Sequence, residues 1–222
     1  MKVGIIGLGF VGLSLATFLS SKNVQVTGID TDKTKIQTIK KGIAPFYEPS
    51  LQQYLKKAIK TGLKLKTEIP SDVFSNDLIF ITVSTPINKH NEIDLKHVKS
   101  VVTSLSKKLQ FAKKTPTIII KSTVVPATTI QTIKPMLEGN SFQESTDFNL
   151  LTNPEFLREG SAIKDTRSPH VVIVGGNDAK SRKKLVEFYK KIYPKNQNYV
   201  ETNTTTAEMI KYANNAFLAT KI

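Results

Sequence analysis

The 222-residue chain is 39% hydrophobic, carries a formal net charge of +14 and contains no cysteine. It has the apolar material for a buried core, excludes a disulfide framework or a thiolate metal site, and has no apolar run near the roughly 18 residues of a membrane span. Its lysines fall as scattered doublets (56–57, 107–108, 113–114, 183–184, 190–191) without interleaved aromatics, which reads as a solvated surface and argues against a nucleic-acid partner.

The first element is a β-rich run, Lys2–Ile6, followed by Gly7-Leu8-Gly9-Phe10-Val11-Gly12. An apolar helix extends to about Ser20, and a second strand, Val24–Ile29, ends in Asp30. Residues 3–20 lack the small-residue cleavage site of a secretory signal, so a cytoplasmic protein with no membrane partner is expected. Each glycine of GxGxxG has a physical reason. Gly7 permits the tight turn, Gly9 admits a pyrophosphate close to the backbone, and Gly12 lets helix and strand pack closely. The helix N-terminus offers free N–H groups to the phosphates. Asp30, at the tip of the second strand, accepts from ribose hydroxyls and repels a ribose phosphate, which favours NAD over NADP.

Further apolar runs follow at 63–67, 77–85, 115–123, 148–153 and 170–176, with helical stretches including 50–61, 95–110, 127–138 and 178–192. The alternation predicts an α/β, Rossmann-like, doubly wound and mostly parallel sheet with helices on both faces. In such sheets ligands sit outside the carboxyl ends of the strands. Those ends read GLG, Asp30, VSTP, KSTVVP and NPEF, a set suited to one ligand cleft. At the far end, TTAE (205–208) has the form of a capping box, with Thr205 as cap and Glu208 three residues on. Met209, Ala213, Ala216 and Phe217 continue at helical spacing, predicting the start of a long C-terminal connecting helix. His90, His97 and His170 show no metal-ligand spacing with one another, and no metal is expected.

Six motifs occur in order: GLGFVG (7–12), FYEPSL (46–51), VSTP (83–86), KSTVVPATT (121–129), NPEFLREGSAIKD (153–165) and AEMIKYANNAFLATKI (207–222). Together they resemble the N-terminal half of the UDP-glucose/GDP-mannose dehydrogenases, with NPEFLREGSA looking like the UDP-glucose 6-dehydrogenase branch. The resemblance implies a four-electron oxidation of a sugar primary alcohol to a carboxylate, with two NAD reduced in succession. A cysteine captures the aldehyde, hydride leaves the thiohemiacetal, and water hydrolyses the thioester. It implies an NAD-binding domain over 1–202 and the start of a central connecting and dimerisation helix over 203–222. The remainder, with the cysteine and the UDP-sugar domain, would lie beyond, and this chain would bind NAD without completing the reaction alone.

By match to the motifs, Gly7, Gly9, Phe10, Val11, Gly12, Asp30 and Lys35 would line the NAD site. Ser84, Thr85 and Thr123 would follow the cofactor towards the nicotinamide, with Glu159 nearby. Thr123 and Glu155 would organise proton transfer and the hydrolytic water. Lys211 and Asn215, at i and i+4 on one helix face, would hold the oxygen on which charge develops, as an oxyanion requires fixed donors. Glu155, Phe156, Leu157, Lys211 and Asn215 would contact the UDP-sugar, with UDP-glucose favoured, and the full enzyme would be a homodimer through the central helix. Two departures stand out. Ala127 replaces the usual glycine of VVPGTT and is expected to force a non-positive φ, and His170 stands where an arginine often precedes the strand. A GDP-mannose or other UDP-sugar enzyme, a short β-hydroxyacid dehydrogenase relative and a non-catalytic NAD-binding module remain alternatives.

Overall fold

The computed structural model describes residues 1–139 and 141–221. Short β-branched and aliphatic runs form a sheet of eight strands: β1 (Lys2–Ile6), β2 (Gln25–Ile29), β3 (Lys64–Lys66), β4 (Leu78–Ile81), β5 (Thr117–Ile120), β6 (Asn149–Thr152), β7 (Val172–Gly175) and β8 (Tyr199–Thr202). Their order is β3-β2-β1-β4-β5-β6-β7-β8. The first six strands in that order are parallel; β7 runs antiparallel to β6, and β8 parallel to β7. Strand order reverses between β1 and β4, which opens a crevice at their carboxyl ends.

The central strands are buried on both faces, so they read as continuous apolar runs rather than alternating ones. Their side chains nonetheless divide by parity. Val3, Ile5, Phe80, Ile119 and Leu151 join the core beneath the first, third, sixth and seventh helices. Ile6, Ile79, Ile81, Ile118, Ile120 and Leu150 join the core on the opposite face. Fully burying one such side chain contributes about 1.5–3 kcal/mol.

The helices are α1 (Phe10–Ser21), α2 (Lys33–Lys40), α3 (Leu51–Lys60), α4 (Lys96–Ser106), α5 (Lys134–Glu138), α6 (Ala162–Arg167), α7 (Ala179–Lys190) and α8 (Thr204–Lys221). The segment expected to be one helix over 127–138 begins instead as a π-helical turn, Thr129–Ile133, that runs into α5. Three of these helices and strands lie outside the predicted set. α2 buries only Ile36 and Ile39, α6 is six residues long, and β8 is a sheet edge with exposed positions. None of these gives a strong hydrophobic period.

Two local expectations are corrected. The cap of α8 is Asn203, whose Oδ1 accepts from the Thr206 N–H at 2.8 Å. Glu208 is not part of a capping box, because its carboxylate turns away to Ala127 and Thr129. Ala127 itself has φ +73°, not the non-positive value expected. Holding an alanine there costs about 1–2 kcal/mol, and the bond from its N–H to Glu208 Oε2 at 2.7 Å opposes that cost.

Candidate cofactor and active site

The β1–α1 turn shows why the three glycines are needed. Gly7 has φ +97°, and a Cβ there would meet the Val83 backbone nitrogen at 2.8 Å. At Gly12 a Cβ would fall 1.8 Å from the Gly7 carbonyl oxygen and 2.6 Å from Thr82 Oγ1. Thr82 ties the turn to β4, its hydroxyl lying 2.7 Å from the Gly7 carbonyl oxygen. Around Gly9 nothing of the protein lies within 4 Å of a built Cβ. The open face of that turn is a cradle for a phosphate group approaching the start of α1.

Asp30 closes the second side. Its Oδ2 accepts from the Leu8 N–H at 2.8 Å and from Lys35 Nζ at 2.8 Å, and its Oδ1 accepts from the Asp32 N–H at 3.0 Å. Burial pushes the carboxyl up, but the bonds from Lys35, Asp32 and Leu8 outweigh it and hold Asp30 below the ordinary carboxylate range. A carboxylate has about four acceptor positions, which leaves capacity for ribose hydroxyls. A cavity of about 590 Å³ runs from here past Gly7, Gly9, Lys35 and Ser84. The residues present therefore fit a dinucleotide.

A second cavity, about 510 Å³, lies among the ends of β5 and β6, α6, α7 and α8, and its lining includes Val11, Lys121, Glu155, Phe156, Leu157 and Asn214. Here Lys211 Nζ sits 3.1 Å from Glu155 Oε1, with side-chain exposures of 7% and 14%. The ammonium also lies 5.3 Å from the Phe156 ring centroid. His170 also meets that ring in an edge-on arrangement, with centroids 5.4 Å apart. Glu155 Oε2 accepts from the Leu157 N–H, which fixes the carboxylate between loop and helix. Thr85 Oγ1 donates to the Thr123 carbonyl at 2.7 Å, joining the VSTP and KSTVVP turns.

The structure thus brings Gly7, Gly9, Asp30, Lys35 and Ser84 into one cavity. It brings Glu155, Phe156 and Lys211 together at the second site and joins Thr85 to Thr123. Val11 lines the second cavity rather than the first. Phe10 packs on Phe46, with ring centroids 6.0 Å apart. Glu159 and Asn215 are exposed and line neither cavity.

Sequence reasoning passed over Lys121 and Asn153. Lys121 Nζ donates to Asn153 Oδ1 at 3.1 Å, and the Tyr189 hydroxyl donates to the same oxygen at 2.6 Å. Burial, offset by the Glu155 charge and reinforced by that of Lys211, lowers the Lys121 ammonium to about 8. The signal was a lysine directly after the all-apolar Ile118–Ile120 run. Glu48 was passed over too. Its buried carboxylate accepts from the Gly160 and Ala162 N–H groups at 3.0 and 2.7 Å and anchors the loop that follows Glu155. Among the described residues no group of three His, Cys, Asp or Glu could hold a metal ion, and no helix is long and apolar enough to cross a membrane.

The sequence matches the model of the UDP-glucose/GDP-mannose dehydrogenase family, NAD binding domain, over residues 1–193. It is 40% identical over 223 residues to the UDP-glucose 6-dehydrogenase of Rickettsia prowazekii (strain Madrid E), covering 100% of this chain and 50% of that protein. The GDP-mannose 6-dehydrogenase of Pseudomonas syringae pv. syringae is 36% identical over 224 residues, with coverage of 100% and 50%. A ternary complex of GDP-mannose dehydrogenase from Pseudomonas aeruginosa matches the fold with a TM-score of 0.94 at 34% identity, again over 100% of this chain and 50% of that one. The chain spans about half the length of the curated relatives it matches. It belongs to the UDP-glucose/GDP-mannose dehydrogenase family, whose NAD-binding domain it carries, and its cofactor is NAD.

Proposed function

We propose that the chain supplies the cofactor site and the proton-handling groups of a nucleotide-sugar 6-dehydrogenase that oxidises UDP-glucose to UDP-glucuronate, with NAD accepting hydride. The observation that carries this reading is the Lys211–Glu155 pair, a buried ammonium 3.1 Å from a largely buried carboxylate, beside the carboxyl ends of the parallel strands. In this reading Lys211 donates to the sugar oxygen as negative charge develops on it, where a fixed cation in a water-poor site is worth most. Glu155 takes and returns the proton and, with Thr123, aligns the hydrolytic water. Asn215, exposed one turn beyond Lys211, becomes a second donor once substrate or a further segment covers α8. Glu159 is assigned to the nicotinamide end by motif alone.

UDP-glucose is favoured by the NPEFLREGSA segment and by 40% identity to a protein named for it, against 36% for one named for GDP-mannose. Residues 1–202 form the NAD-binding unit in this reading, and 203–222 begin the connecting helix. Exposed Met209, Phe217 and Leu218 on α8 support its use as a dimer contact. The compartment proposed is the cytoplasm. The covalent step needs a thiol, and the 222 residues contain no cysteine. The chain alone is therefore expected to bind NAD without sustained turnover. Incubation with NAD and UDP-glucose, followed by absorbance of reduced NAD, tests this. Co-expression with the half of the Rickettsia relative that the chain does not span should then give NAD reduction with UDP-glucose. Sustained turnover by the chain alone, or reduction only with GDP-mannose after complementation, would overturn the proposal.

A further inference from the structure

Glu208 has no part in the chemistry proposed above, yet it is one of the most buried ionisable groups in the fold, at 2% exposed. Its Oε2 accepts from the Ala127 N–H at 2.7 Å. Its Oε1 accepts from the Thr129 N–H at 2.9 Å and from the Thr129 hydroxyl at 2.5 Å. The Thr129 hydroxyl proton is thereby committed to the carboxylate, so the Thr152 hydroxyl, 3.1 Å away, is the donor to Thr129 Oγ1. Thr129 and Thr152 are themselves buried.

Three segments meet at this carboxylate. α8 carries Glu208, and Lys211 follows at i+3 on the same helix face. The turn that holds Ala127 and Thr129 begins with Thr123. β6 ends at Thr152, three residues before Glu155. Burying a carboxylate without need is unfavourable, and a packing role alone would be met by an apolar side chain. Burial does push this carboxyl above its ordinary range, against the bonds from Thr129 and Ala127 that favour the ionised form. The fold retains the group with three donors aimed at it.

We propose that Glu208 is a positioning residue: it locks α8 to the 123–129 turn and, through Thr129, to the end of β6, and so sets the Lys211–Glu155 separation. The structural coupling stands on the hydrogen bonds; its value to catalysis rests on the function proposed above.

The test uses the 222-residue chain and reads Lys211 directly. The rate of Lys211 acylation by an amine-reactive ester is followed by peptide mass spectrometry in wild type and in Glu208→Gln, Glu208→Asp and Thr129→Val. The exposed Lys22 serves as internal standard, and Glu155→Gln sets the rate for a Lys211 without its partner. Losing a charged hydrogen-bond set in Glu208→Gln is expected to raise the Lys211 rate about tenfold over the standard. Glu208→Asp should fall between Gln and wild type, because the charge is kept at shorter reach. Thr129→Val, which keeps both N–H bonds and the shape of the side chain, should raise the rate by a smaller factor and covers the case in which Glu208→Gln does not fold. A Lys211 rate equal to wild type in a folded Glu208→Gln or in Thr129→Val overturns the proposal, as does an equal rise at every lysine. NAD titration of the same samples separates the two ideas. Wild type that fails to bind NAD contradicts the proposed function, while the Lys211 rates still decide the role of Glu208.

Discussion

The two cavities of this domain are built in opposite ways. The cofactor cavity is entered over backbone, the glycine turn of Gly7 and Gly9, beside the Asp30 carboxylate at the end of β2, and is closed by residues 68–69, 82–84 and the face of α4 that carries His97, Ser100 and Ser104. The second is lined by side chains, among them Lys121, Asn153, Glu155 and Tyr189, delivered by the segments after β5 and β6 and by α7, with Lys211 of α8 paired to Glu155 beside it. Binding a dinucleotide requires close approach and oriented N–H groups, which a local pattern supplies. The proton transfer proposed for the second requires charges held at fixed separation, which only tertiary packing supplies.

The contrast can be broken first at the second cavity. Lys211→Met leaves the largely buried Glu155 carboxylate without its nearest cation, and the loss is expected to reach about 3 kcal/mol in urea unfolding. The double variant with Glu155→Gln should cost less than the sum of the two single changes, because the pair is a unit. Additive losses would mean that the 3.1 Å contact carries no coupling.

Next comes the backbone cradle. Gly12→Ala places a methyl 1.8 Å from the Gly7 carbonyl oxygen, so stability should fall by about 1–3 kcal/mol and NAD binding with it. Gly9→Ala meets no protein atom within 4 Å, so its melting temperature should stay near wild type while NAD affinity falls. A Gly9→Ala protein that binds NAD normally would move the pyrophosphate away from this turn.

Lys121 sharpens the difference through pH. Its proton is held less tightly in the fold, at about 8, than in the unfolded chain, near 10.5. Between those values the unfolded state binds more protons, so this group makes stability rise with pH. Comparing thermal unfolding of wild type and Lys121→Met across that window should show the rise reduced in the variant. Equal slopes would place Lys121 in water.

The smallest effect is expected at Ala127. Replacing it by glycine relieves the left-handed strain at φ +73° but increases the entropy lost on folding, for a net gain of about 0.5–1 kcal/mol. A loss of stability would show that the alanine methyl packs more favourably than its backbone suggests.

Legibility in the sequence followed the same division. GLGFVG, the strand after it and Asp30 predicted β1, α1, β2 and a cavity shared by Gly7, Gly9 and Asp30, because the pattern is local. The parallel sheet was legible from the apolar runs, whereas β8 was not, since an exposed edge strand carries no period. At the second cavity the motif resemblance named Glu155 and Lys211, but residue spacing gave no reason for them to touch. Lys121 and Asn153 escaped because their partners are distant in sequence. Glu208 misled for a related reason. Its spacing from Thr205 satisfied a local capping rule, while the donors it serves lie some eighty residues earlier, at Ala127 and Thr129. Ala127 misled because a steric preference of about 1–2 kcal/mol is outweighed when a buried carboxylate holds the turn.

The most direct test of the account is calorimetric titration of the 222-residue chain with NAD and with NADP. The Asp30 carboxylate, set at the end of β2 where the proposed site would receive ribose hydroxyls, predicts saturable one-to-one binding of NAD, with NADP weaker by about tenfold or more. Equal affinity for the two, or no binding of NAD, would contradict it.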